Sequence, residues 1–247
     1  MIDEAYQELR GLEDEHWWFR GARAVYRTLL SFKPRPGKGA RVLEVGSGSG
    51  GNFDLLGEFG DVVGLEYSPI AIELTPSAPA LGLVRASADA LPFAASSFDY
   101  VALLGLIEHM DDDRKALREA ARVCTHEGIV VLLTSAIAFL WSHHDDANRH
   151  RRRYHKKELI ELLASAELRT IRVSYQNFFT FLPVLAVRMW QRIHPESPRF
   201  DVGKPNRWVN DFLTALLKLE ARLIKYISLP VGVDLVAAAR PSVRNHD

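Results

Sequence analysis

The 247-residue chain has a single cysteine, Cys124, so no disulfide can form within it. That scarcity fits a reducing compartment and predicts a cytoplasmic protein. Surplus charge is absent too: 31 lysines and arginines meet 31 aspartates and glutamates. Nucleic-acid binders carry a basic excess, and nothing global argues for one. The chain opens Met1-Ile-Asp-Glu, acidic and polar where a secretory signal is basic and then apolar. Its apolar stretches Phe178 to Trp190, interrupted by Pro183, and about Trp208 to Ile227 are not long and unbroken enough to span a bilayer. No internal repeat or low-complexity tract is present. At 47% hydrophobic residues the length suffices for one well-packed α/β domain with a cap, and is too short for two large ones.

What is present is organised around Arg41-Val-Leu-Glu-Val-Gly-Ser-Gly-Ser-Gly-Gly-Asn52. Val42 to Val45 is nearly all apolar, as suits a strand buried on both faces of a parallel sheet. Gly46, Gly48, Gly50 and Gly51 then let the backbone turn tightly and approach a ligand, and Asn52 is placed to cap a helix running toward Leu56. Strand, glycine loop and helix start make a nucleotide-binding corner. Gly46, Gly48 and Gly51 also fit the G-x-G-x-x-G dinucleotide spacing, so the loop admits NAD or S-adenosylmethionine. The next strand, Asp61 to Glu66, ends in a carboxylate that can accept hydrogen bonds from the ribose hydroxyls of either.

Two features separate the cofactors. Glu44 sits in the strand two residues before the first glycine, where a pyrophosphate would meet it with repulsion and an amino acid's ammonium group would be attracted. Asp89, in Ala88-Asp-Ala-Leu-Pro-Phe93, precedes a further strand, Phe98 to Leu104, which places a second acid on the same sheet edge within reach of an adenine amino group.

The ordered set LEVGSGSG, GLEYSP, ADALPF, then FDYVALLGLIEH, a helix and GIVVLLTS resembles the class I S-adenosylmethionine-dependent methyltransferases, from Arg41 to about Ser135. The resemblance implies an α/β fold: a doubly wound, Rossmann-like, seven-stranded sheet with its last strand antiparallel, an N-terminal helical lid and a helical insertion before the last strand. It implies S-adenosyl-L-methionine as cofactor, with S-adenosyl-L-homocysteine as product. Its binding set falls on Glu44, Gly46, Ser47, Gly48, Glu66, Tyr67, Asp89, Ala90 and Leu104. Ser47 stands where the family often has cysteine or alanine. The expected organisation is a lid at 1–39, the cofactor-binding core at 40–176, a substrate cap at 177–232, and the last strand with a tail at 233–247.

Asp3 to Phe32 reads as helical. Within it Glu13-Asp-Glu-His-Trp-Trp-Phe-Arg-Gly-Ala-Arg23 resembles the N-terminal HWWF segment of a UbiE-like small-molecule subgroup, where it covers the cofactor's amino-acid end. That subgroup often has a second arginine where this chain has Ala22, so Arg20 and Arg23 both stand as partners for the cofactor carboxylate. The plainer reading is a helix docked by its aromatics. Lys157 to Ala166 reads as a helix, with Leu168 to Tyr175 and Val233 to Ala239 as strands. Asp111 to Cys124 reads as a helix whose three opening aspartates form a solvated cap.

Glu108-His109 follows the fourth strand at its carboxyl end, where open α/β sheets bind ligands. His109 could move a proton there, or simply hold the loop. After the fifth strand, Trp141, Ser142, His144, Asp145, His150, Arg152, Arg153 and Tyr154 match a pattern of the same subgroup, W-S-x-H-D, four residues, H-x-R-R-Y. His144, His109 and His150 are therefore the candidate catalytic residues, with His144 foremost because Asp145 beside it could orient an imidazole. A divalent metal on these histidines with Glu108 or Asp145 is the rival reading, set below a metal-free site because methyl transfer needs none. Arg152 and Arg153 are candidates for a phosphate or carboxylate, against a solvated basic surface.

The expected function is methyl transfer to a small molecule, at a hydroxyl before nitrogen or carbon, the acceptor being apolar with an anionic group. The alternatives are an NAD-dependent oxidoreductase and an S-adenosylmethionine-binding protein with other chemistry. Expected partners are the small molecule, no nucleic acid, and, through the insertion, a membrane surface or a second copy of the chain.

Overall fold

The computed structural model describes residues 10–33, 39–75, 82–194 and 205–242, with the side chain of His144 outside that set. In chain order these residues form α1 (Trp17–Leu30), β1 (Arg41–Val45), α2 (Phe53–Gly57), β2 (Asp61–Glu66), α3 (Pro69–Glu73), β3 (Gly82–Arg85), β4 (Phe98–Leu104), α4 (Asp113–Val123), β5 (Cys124–Ser135), α5 (His143–Ala147), α6 (Lys156–Ser165), β6 (Leu168–Gln176), α7 (Phe181–Ile193), α8 (Arg207–Ile224) and β7 (Asp234–Pro241).

The strands make one seven-stranded sheet in the order β3-β2-β1-β4-β5-β7-β6. β1 to β5 are parallel, and β7 runs antiparallel to both β5 and β6. The apolar runs of β1, β4 and β5 are buried because the sheet is covered on both faces, and each fully buried aliphatic side chain there is worth roughly 1.5–3 kcal/mol. From β1 the chain winds outward through β2 and β3, then returns to build β4 and β5 on the other side. That reversal opens a crevice at the carboxyl ends of β1 and β4, where Glu44 pairs in register with Ala102.

Two helices remote in sequence form the roof. α8 buries Asn210, Thr214, Leu217, Ala221 and Ile224, alternating steps of four and three that keep one face inward. That face lies against α1, and a Cβ on Gly21 would sit 2.4 Å from Leu217 Cβ, so only glycine admits this approach. Asn210 completes the joint: its Oδ1 accepts from Trp17 N at 2.8 Å and its Nδ2 donates to the Glu15 carbonyl at 2.8 Å. Glu220 of the same helix accepts from the backbone amides of Asn177 and Phe179, fixing the entry to α7. α7 is almost wholly apolar, carries Pro183 in its first turn where proline is tolerated, and has no buried residue.

Three local expectations need correction. The N-terminal helix is interrupted: residues 13–16 form a turn, and α1 starts only after His16, whose extended backbone and ring nitrogen cap it by accepting from Trp18 N. The part before Arg10 lies outside the described residues. Asn52 sits at the start of α2 without capping it, because its side chain donates to Glu44 instead. Of the three aspartates, Asp112 caps α4 and Asp111 is exposed, but Asp113 is buried and accepts from Tyr154 Oη at 2.7 Å and from Arg152 at 3.0 Å.

Candidate active site

Gly46 leaves β1 at φ 73°, and its amide and that of Ser47 donate to the Leu65 carbonyl at 2.7 and 3.0 Å. The loop is therefore stitched to the end of β2. Glu66 tightens the same joint: its carboxylate accepts from the amides of Gly48, Tyr67 and Ser68 at 2.8–2.9 Å. A carboxylate offers about four acceptor positions, so one remains for a ligand hydroxyl.

Between this loop and the roof lies a cavity of about 510 Å³, within the usual range for a cofactor site. Glu44 lines it, 1% exposed. Its Oε1 accepts from Asn52 Nδ2 at 2.8 Å, while Oε2 is buried with no hydrogen-bond partner among the described residues. Burial in the first place, with Glu13 and Glu66 nearby, pushes this carboxyl up to about 8, and Asn52 offsets only part of that. An unpartnered buried carboxylate oxygen is costly, and a cation supplied by a ligand would relieve it. Ser47 Oγ is likewise buried and unpartnered beside it. Glu13 packs against the loop and accepts from Ser49 Oγ at 2.7 Å, its acidity weakened by burial. Arg23 reaches the loop as well, donating to the Gly51 carbonyl at 3.1 Å. Arg20 points elsewhere and pairs with Asp211 of α8 at 2.9 Å, so of the two arginines only Arg23 lines the cavity.

Also lining the cavity, His109 and His150 stack edge to face, ring centroids 4.7 Å apart. His109 rides on a single helical turn, Ile107–His109, directly after β4. Burial first and His150 second push it down to about 4, so it is neutral at neutral pH. His150 Nδ1 lies 2.9 Å from Asp145 Oδ1. Asp145 is fully buried behind the histidines and also accepts from Arg153 Nε and Nη2 and from Ser142 N. Burial alone would raise its pKa, yet the hydrogen bonds from His150 and Arg153 hold it well below the usual carboxylate range. Arg153 donates further to the Ala136 carbonyl, and Arg152 is bound to Asp113 and to the Met110 and Asp111 carbonyls. Both arginines thus brace the loop, and Arg153 lines the cavity as well.

Of the residues singled out for the cofactor, Glu44, Gly46, Ser47, Gly48, Glu66 and Leu104 line the cavity. Tyr67, Asp89 and Ala90 stand outside its walls: Tyr67 is 70% exposed and Asp89 pairs with Lys115. His144 lies in α5, its side chain outside the described residues, and Asp145 turns toward His150. Among the described residues no group of three or more His, Cys, Asp or Glu is arranged to hold a metal ion.

Sequence reasoning passed over Asp234, Asn177 and Arg188, all of which line the cavity. Asp234 had a usable signal, since the first residue of an antiparallel strand falls on the edge where the parallel strands end. It pairs in register with Ser135, accepts from Asn177 Nδ2 at 2.6 Å, and burial raises its pKa.

The arrangement finds company among known proteins. Residues 43–132 match a family described as a methyltransferase domain. A "Probable S-adenosylmethionine-dependent methyltransferase" of Mycobacterium tuberculosis is 32% identical over 160 residues, covering 63% of this chain and 57% of that one. A demethylmenaquinone methyltransferase of Bacillus licheniformis is 35% identical over 107 residues, 40% of this chain and 46% of the other. The chain thus spans between about half and three fifths of the length of these relatives. A chain from the complex of the Haloferax volcanii Trm112 methyltransferase activator with a methyltransferase superposes with a TM-score of 0.64 over 99% of this chain and 97% of its own, at 18% identity. Residues 43–132 thus match a methyltransferase domain, and the strand order around them is carried on a fold shared with the superposed structure.

Proposed function

We propose that this protein transfers a methyl group from S-adenosylmethionine to a small-molecule acceptor, at a hydroxyl. The observation that carries the reading is the bare Oε2 of Glu44, a buried carboxyl in the cavity wall that can ionise to meet the ammonium group of an amino-acid-bearing cofactor and that suits a pyrophosphate badly. The other residues that would hold the cofactor are the glycine loop at Gly46 to Gly48, Glu66 for a ribose hydroxyl, Arg23 for the carboxylate, and Asp89 with Ala90 and Tyr67 on the adenine side. Bound there, the cofactor supplies a methyl group already activated on a sulfonium. The chain's task is to align the acceptor, and to remove a proton if the acceptor is a hydroxyl.

Three histidines stand as candidates for that proton. His144 has Asp145 beside it in sequence, but that carboxylate is engaged with His150, which makes His150 the oriented imidazole of this proposal. His109, pushed down to about 4 by burial, packs edge to face against it. Residues 1–39 act in this proposal as a lid over the cofactor and 177–232 as a cap over the acceptor, since α1 and the start of α7 both contribute cavity wall to the core formed by 40–176 and 233–247.

Calorimetry with adenosylmethionine, adenosylhomocysteine and NAD tests the cofactor, and tight binding of NAD alone would overturn the reading. Transfer of labelled methyl to a hydroxylated acceptor tests the reaction. Replacing His150 by alanine should then lower the maximal rate by roughly 100- to 10,000-fold, the scale of general-base help, with adenosylhomocysteine affinity unchanged. Full turnover in that variant would remove His150 from the chemistry.

A further inference from the structure

Arg188 is the one cavity residue in α7 that is out of keeping with its surroundings. The helix is apolar along most of its length, yet at this position it turns a guanidinium toward the cavity, one turn beyond Val184, which lines it too. Among the described residues its only hydrogen bond is from Nη1 to Gln191 Oε1, a neutral amide, at 3.1 Å. The carboxylate whose charge favours it is Asp145, whose two oxygens are already taken by Arg153 and His150. Two further acids of the cavity wall are committed elsewhere: Asp234 to Asn177, Glu108 to Thr134 Oγ1. Burial and the charge of Arg153 both disfavour the charged form of Arg188, so it sits in the cavity wall at a cost that an incoming anion would offset. Val184, Leu133, Val233 and Leu106 give the same cavity its apolar lining.

We infer that Arg188 is the anchor for an anionic group, a carboxylate or phosphate, on an otherwise apolar acceptor. A guanidinium presents a planar fork of donors that matches either anion, and such charge-assisted pairs are strongest where water is excluded. The inference rests on the methyl-transfer reading for calling the ligand an acceptor, but the anion site itself does not depend on it.

Octanoate and 1-octanol, equal in chain length and differing in charge, are the probes. Each is titrated calorimetrically into the full chain, once saturated with adenosylhomocysteine and once without it. Octanoate should bind at least roughly tenfold more tightly than octanol, the scale of one charge-assisted pair, and Arg188→Gln should erase the difference while Arg188→Lys keeps part of it. Inorganic phosphate added as competitor should displace octanoate if the site accepts both anions, and failure to displace it narrows the acceptor to a carboxylate. Equal affinity for the two probes in the wild-type chain, no binding of either at millimolar concentration, or a preference that survives Arg188→Gln would each overturn the inference. Arg188 makes a single side-chain hydrogen bond among the described residues and sits at a cost, so the variants should melt no lower than the wild type, and the comparison is between folded proteins. Failure of adenosylhomocysteine to bind would strike the methyl-transfer reading alone, because the octanoate preference is measured in the ligand-free chain as well.

Discussion

Two buried carboxylates, Glu44 in the cavity wall and Asp145 behind its histidines, are treated in opposite ways. Glu44 has one oxygen held by Asn52 and the other bare, and burial pushes its carboxyl up to about 8. Asp145 has both oxygens held, by Arg153, His150 and Ser142, and stays ionised far into acid. Burial is severe at both, so it cannot be what separates them. The partners are. A carboxylate whose hydrogen bonds are complete is scaffold, fixing the loop and the imidazole in front of it; one left incomplete next to a cavity is a receptor awaiting a cation.

The largest effect should come from breaking the complete one. Asp145→Ala leaves Arg153 buried without its counter-ion and should cost about 3–5 kcal/mol in urea denaturation, the range for removing one partner of a buried pair. A loss below about 1 kcal/mol would mean that the network is ornamental and that the contrast with Glu44 fails.

Glu44→Gln should act with the opposite sign. The folded pKa is raised from 4.5 to about 8, so the empty folded protein holds a proton that the unfolded chain has lost between those values, and its stability falls as pH rises through them. The glutamine variant should match wild type near pH 4 and gain about 2–4 kcal/mol by pH 8, less than the full shift because a buried site relaxes. The same variant should bind adenosylhomocysteine more weakly. In the wild type, binding near neutral pH should release a proton from Glu44, seen as a heat that varies with the buffer's ionisation enthalpy. A variant that gains nothing at pH 8 would show Glu44 to be solvated or ionised without cost.

Smaller changes sharpen the receptor end. Glu66→Ala should weaken adenosylhomocysteine binding by roughly 1–3 kcal/mol, through a lost ribose hydrogen bond and a loosened loop. Asp89→Ala should cost less, since Asp89 stands outside the cavity walls beside Lys115. The reverse ranking would move the ribose contact away from β2.

Much of the frame was legible because it is written in local patterns: apolar runs for the strands, glycines where the chain turns to positive φ, and acids at strand ends. What escaped depends on direction and distance. Asp145 adjoins His144 in sequence, but neighbours on a helix diverge by about 100°, and the carboxylate turns away to meet His150. Arg188 was submerged in an apolar run that reads as packing. Asn52 has the chemistry of a cap and was claimed by a stronger electrostatic attraction across the loop. The joint between α1 and α8 passes through Gly21, and a glycine inside a helix gives no sign of what lies against it.

The place of β7 in the sheet also bears on how the molecule comes into being. It lies between β5 and β6, so those two strands have no partner in common until it arrives, and among the described strands of this sheet it is made last, after α7 and α8. A chain emerging from the ribosome therefore carries β5 with an open apolar edge, and β6 with nothing to join, for the time taken to synthesise the insertion. Such edges recruit strands from other chains, and their closure is a long-range step that is slow by nature. The three fully buried alanines of β7, Ala237 to Ala239, are small enough to slide into a slot already walled by finished strands and helices. Lengthening the insertion thus taxes yield in the cell before it touches the stability of the finished protein.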